Sequence, residues 1–152
     1  MWRSILGIIA GCLVGGIVAF LIEIPGIFIH PLPPGTNLSD PEALKSHMAN
    51  APLAALLGVA IAWMLAPFAA ALVAGLIARR NFLVHAMVVG VFFLAMDMLN
   101  VVSFPHPNWL IVVGVVAPVV ASLFGGSLAA QIIRHKSVSP RPYDMRERNM
   151  AC

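Results

Sequence analysis

Four apolar stretches, each near or above the ~20 residues that a helix needs to cross a bilayer, fill most of this 152-residue chain. They run over 4–29, 52–78, 82–102 and 109–133. In each, apolar residues occur all round the helical wheel rather than along one stripe, as lipid contact on several faces requires. Charged residues make up 10% of the chain, against ~25% in soluble domains, which excludes a water-soluble globule. Four crossings leave no length for a separate soluble catalytic domain. Cys12 lies inside an apolar stretch and Cys152 in the polar tail, so the two do not form a disulfide framework. The fold expected is an all-α integral membrane domain over 1–133, a four-transmembrane-helix bundle, followed by a cytoplasmic polar tail over 134–152.

Basic residues set the orientation. Arg3, Arg79, Arg80, Arg134, Lys136, Arg141, Arg146 and Arg148 fall on one side of a four-span chain, and only Lys45 falls on the other, beside Asp40 and Glu42. The positive-inside rule then places both termini in the cytoplasm and the 30–51 loop outside. Topology alone accounts for the net charge of +3, and no nucleic-acid partner is implied. Ile9-Ala10-Gly11-Cys12 resembles a lipoprotein processing box, yet the apolar run continues to Ile22. The first segment is also too long for a secretory signal and is read as a retained anchor.

The outer loop opens on His30-Pro31-Leu32-Pro33-Pro34-Gly35, whose prolines hold the chain extended. Ser39-Asp40-Pro41-Glu42 then has the composition of a helix start and predicts a short external amphipathic helix over 41–49. The second outer connection, 103–108, is a tight turn with Trp109 at the interfacial level.

The two halves share a weak pattern. A constant offset pairs Gly16 with Gly90, Glu23 with Asp97, Pro31 with Pro105 and Pro33 with Pro107. Each half is then a helical hairpin running in the same direction, a parallel repeat about an axis along the membrane normal. Small residues also recur at steps of four. Gly7, Gly11, Gly15 and Ala19 mark the first span, and Gly58, Ala62, Ala66 and Ala70 the second; Gly125 belongs to a similar row in the fourth. Such rows let helix backbones approach closely in lipid. They serve packing within one bundle, or a surface for a second copy or another membrane subunit.

Glu23 and Asp97 are the carboxylates well inside the apolar spans, and Asn100 follows Asp97 by three residues. An acid at this depth costs on the order of 2.5 kcal/mol or more against lipid, so both are expected to face the bundle or water. One reading is structural, with both acids hydrogen-bonded to Asn100, Ser103 or backbone freed near Pro25. Another is a proton or ion path. A third is a metal site drawn from Glu23, Asp97, His30 and His106, since carboxylate and imidazole suit a divalent cation together. Haem ligation finds no two histidines at matching depth in facing spans. His85, near the cytoplasmic end of its span, suits an interfacial role, and Trp63 a packing role. Phosphate loops, nucleophile elbows and Cys-pair metal motifs are missing from the sequence, so no enzyme is expected and no cofactor is required.

Glu23 with its proline-rich exit, the loop Ser39-Asp40-Pro41-Glu42-Ala43-Leu44, the span end Ala78-Arg79-Arg80 and the turn Phe104-Pro105-His106-Pro107-Asn108-Trp109 carry a resemblance. The chain resembles a group of small four-span bacterial membrane proteins with no assigned function. That resemblance implies the four-span topology and a bacterial inner membrane, and no substrate. The expectation is a non-enzymatic protein acting by helix packing, as a homo-oligomer or an accessory subunit of a larger membrane complex. The alternative is a small proton- or cation-handling channel or transporter using Glu23 and Asp97.

Overall fold

A computed structural model describes residues 2–37 and 39–138. Five helices occur there: α1 (Trp2–Ile29), α2 (Pro41–Ala49), α3 (Leu53–Ala78), α4 (Phe82–Ser103) and α5 (Asn108–Val138). The described residues include no strand. Helices α1, α3, α4 and α5 are long and apolar enough to cross a membrane. The protein is a multi-pass, all-helical membrane bundle. The expected span bounds agree to within two residues, except that α5 continues past 133 to Val138. Residues placed in the polar tail thus extend the helix, where His135 and Lys136 in the last turn face the negative end of its dipole. The remainder of the expected tail, 139–152, lies outside the described residues.

Helix α2 spans the residues expected of it and is capped by Asp40. The Asp40 carboxylate accepts the backbone N–H groups of Glu42 (3.0 Å) and Ala43 (3.4 Å), and Pro41 occupies the first turn, where no N–H is needed.

Helix α1 packs along α3, α3 along α5, and α5 along α4; α4 also meets α3 and, at fewer places, α1. Gly15 of α1 faces Phe93 of α4, and Gly75 of α3 faces Ala129 of α5. Gly7, Gly11 and Gly15 meet Ala74, Ala70 and Ala66, and Gly114 and Gly125 meet Trp63 and Phe68. Gly90 and Gly126 meet Ser122 and Ala86, so α1 and α4 run the same way, as a parallel repeat requires. The equivalence stops there, because α4 reaches α3 whereas α1 does not reach α5. The constant offset also fails on individual faces. Gly90 lies against Ser122 while Gly16 meets open space, and Asp97 is buried while Glu23 is accessible.

The small residues explain the tight half of the bundle. A Cβ added at Gly7 or Gly15 would stand 2.8 Å from the carbonyl oxygen of Ala74 or Ala66, and one at Gly11 would overlap that of Ala70. Each of these three glycines thus rests on the α3 backbone at an alanine. Gly125 meets the backbone of Phe68 in the same way. Ala62, Ala66 and Ala70 are buried, and Ala19 packs from α1 onto the alanine core. Gly7, Gly11, Gly15 and Gly125 are thus engaged within the chain. Gly58 is the exception among the expected packing residues: a Cβ there would meet nothing within 4 Å. Toward the other end a second core forms from Ala60, Trp63 and Leu110, with Trp63 lying over Gly114. The packing role expected of Trp63 is the one observed.

The α3–α4 connection turns within Arg79-Arg80-Asn81, with Arg79 (φ 54°) and Asn81 (φ 46°) in the left-handed region. The Arg80 guanidinium donates to the Ser4 hydroxyl at 3.4 Å, joining this turn to the start of α1. This is the arginine end of the bundle; residues 30–51 mark the loop end. Asparagine tolerates left-handed backbone, but arginine does not do so freely. Arg79→Gly is expected to raise stability by about 0.5–1 kcal/mol, read as a higher unfolding midpoint in detergent.

Candidate functional site

At the loop end the bundle opens between α1 and α3. Small residues on α3, Ala54, Ala55 and Gly58, leave a cleft of about 620 Å³ facing Ile22, Glu23 and Ile24 on α1. Helix α2 forms its roof with Leu44, His47 and Met48, an i, i+3, i+4 set on one helical face. Phe20, Leu57 and Ile61 line the cleft and are themselves exposed, so the cleft opens sideways between the two helices.

The roof is held by a reciprocal clasp. The rings of His30 and His47 stack with centroids 3.9 Å apart and planes inclined by 11°. His30 Nε2 donates to the His47 carbonyl at 2.9 Å, and His47 Nε2 donates to the His30 carbonyl at 3.2 Å. Two polar side chains are thereby satisfied at the mouth of an apolar space. Stacked rings at this distance leave no room for a metal ion between them.

Glu23 lines the cleft and is accessible within it. It lies two turns, about 12 Å of rise, beyond Gly15 on α1. Asp97 lies one turn, about 6 Å, beyond Phe93 on α4, and Phe93 is the residue that meets Gly15. By rise alone the two acids stand on neighbouring helices about one turn apart in depth, both beyond the contact between Gly15 and Phe93. Asp97 is only 5% exposed, and its Oδ2 has no hydrogen-bond partner. Buried polar atoms are nearly always paired, so an orphaned carboxylate oxygen is a costly feature.

The other expected members of the site lie elsewhere. Asn100 is exposed, at the edge of the face that carries Asp97, and does not bond it. The Ser103 hydroxyl donates back to the Leu99 carbonyl at 2.7 Å instead of to an acid. His106 sits in the α4–α5 turn, its ring 5.7 Å from that of Trp63, with Nδ1 donating to the Phe104 carbonyl at 2.8 Å. Among the described residues, no three His, Cys, Asp or Glu side chains gather into a metal-binding group. Glu23, Asp97, His30 and His106 are thus not a ligand set: the first and third line the cleft, the second is buried on α4, and the fourth rests on Trp63. His85, expected at an interface, is buried, and its Nδ1 donates to the Asn81 carbonyl one turn back at 2.9 Å.

Sequence reasoning missed the cleft and the part played by His47. The signal was present in Ala54, Ala55 and Gly58, which leave space on one side of α3, and in Leu44, His47 and Met48, which share one face of α2. Comparison of the chain with models of protein families, with curated proteins and with solved structures gives no match.

Proposed function

We propose that this is a non-enzymatic protein of a bacterial inner membrane, with both termini cytoplasmic, that handles protons or cations through Glu23 and Asp97. The observation that carries the reading is buried Asp97, whose Oδ2 lacks a partner, on a helix that packs against the one whose Glu23 opens into a cleft. A purely architectural acid would hold a hydrogen-bond partner, and an acid inside a span that holds none is a mark of function. Both acids lie within the apolar part of the bundle, and the only ion pair among the described residues is Lys45–Glu42 on α2. Arg3, Arg79, Arg80, Arg134 and Lys136 at the arginine end support the cytoplasmic assignment of that end. The resemblance to small bacterial four-span proteins supports the membrane assigned.

The other reading, an oligomer or accessory subunit acting by helix packing, draws on the small-residue rows, of which Gly7, Gly11, Gly15 and Gly125 pack inside the chain and Gly58 does not. The apolar side chains that remain exposed on all four long helices are what contact with lipid requires. The test is flux in reconstituted vesicles carrying an internal pH-sensitive or cation-sensitive dye. The wild-type chain is expected to dissipate an imposed gradient, and Asp97→Asn and Glu23→Gln to abolish that flux while eluting as folded protein. Equal flux from wild type and both variants would overturn the proposal.

A further inference from the structure

Resting on the cation reading above, we infer that the cleft beneath α2 is a binding site for an amphipathic organic cation, its apolar body between α1 and α3 and its charged group at Glu23. The volume, about 620 Å³, falls within the ~300–1,000 Å³ typical of small-molecule sites. The walls are almost wholly aliphatic, which suits an apolar body and gives an inorganic ion nothing beyond Glu23 to replace its water. The imidazole N–H groups of His30 and His47 are taken up by each other's backbone carbonyls. Glu23 is therefore the one charged side chain that faces the cleft.

Charge decides the class of ligand. No lysine or arginine lines the cleft, so the Glu23 carboxylate meets no counter-charge there. A neutral apolar occupant would leave the Glu23 carboxylate without a counter-charge beside apolar walls, and an anion would be repelled. A cation carrying apolar groups satisfies the acid and the walls together. Entry needs no rearrangement of the tight alanine core, because the cleft opens sideways through exposed Phe20, Leu57 and Ile61. Gly58 supplies part of the space, since nothing stands within 4 Å of where its Cβ would be.

The test uses two probes of matched size and opposite charge, tetraphenylphosphonium and tetraphenylborate, titrated into the purified full chain in micelles with empty micelles as baseline. Saturable binding of the cation, with the anion at least tenfold weaker, is expected. Glu23→Gln should weaken the cation at least tenfold. Gly58→Leu should abolish its binding while leaving the unfolding midpoint unchanged, because the added side chain fills open space. Equal affinity for cation and anion, or cation binding indifferent to both substitutions, would overturn the inference. Loss on Gly58→Leu with no change on Glu23→Gln would also overturn it, leaving an apolar cleft without charge selection. Acid-dependent flux of protons or inorganic cations in a chain that does not bind tetraphenylphosphonium would refute this ligand class and leave the preceding proposal standing.

Discussion

Replacing Gly11 with alanine is expected to cost about 1–3 kcal/mol of stability, and replacing it with leucine to prevent stable folding. The reason is local and steric. A single methyl at Gly11 overlaps the carbonyl oxygen of Ala70, and it also approaches the Ala74 methyl at 3.1 Å. Neither neighbour is the free end of a flexible side chain, so relief requires α1 to move away from α3. That displacement would forfeit the close backbone contact that holds helices together in lipid, where burial from water does not contribute. Gly16, one residue on, meets open space. Gly16→Ala is expected to stay within about 0.5 kcal/mol of the wild type. Unfolding midpoints in mild detergent read both results; equal midpoints for Gly11→Ala and Gly16→Ala would contradict the packing described.

Asp97→Leu is expected to act in the opposite sense, raising stability by about 1–3 kcal/mol while eliminating cation-dependent activity. A buried polar atom without a partner carries its full desolvation cost, and an apolar side chain of similar size removes that cost. Because no group is paired with Asp97, nothing is left unsatisfied by the change. A substitution that stabilises the fold and abolishes activity is the signature of a residue kept for function at the expense of stability. Destabilisation of similar size would instead give Asp97 a structural partner. The same reasoning alters the outlook for Glu23. Neither Glu23→Gln nor Glu23→Leu strands a buried partner, because Glu23 is accessible. Both substitutions are therefore expected to leave stability within about 0.5 kcal/mol.

The parts of this fold that were legible in the sequence are those governed by local chemistry. Helix α2 was readable over 41–49 because Asp40, Pro41 and Glu42 each favour one position of a helix start. The four spans were readable because a bilayer sets the length of an apolar helix. The end of α5 was not, since polarity after Ile133 marks departure from an apolar run and says little about where backbone hydrogen bonding stops. The packing rows were visible as rows, but not which helix each would meet. Gly11 and Gly58 look alike in sequence, and only the crossing of α1 over α3 separates the buried glycine from the one facing the cleft. Helical rise puts Glu23 and Asp97 in the loop-end parts of their spans. Their unequal burial depends on helix rotation, which a 3.6-residue period leaves free when apolar residues surround every face.

The most direct measurement of the central claim is thiol accessibility at Glu23→Cys, with both native cysteines replaced by serine. A small charged, membrane-impermeant thiol reagent is added from the side of the 30–51 loop. If Glu23 faces a cleft reached from the loop end, Glu23→Cys should be modified, and Ile17→Cys, on an apolar face of α1 that is 58% exposed, should not. Failure of Glu23→Cys to react, or equal reaction at both positions, would contradict the site described.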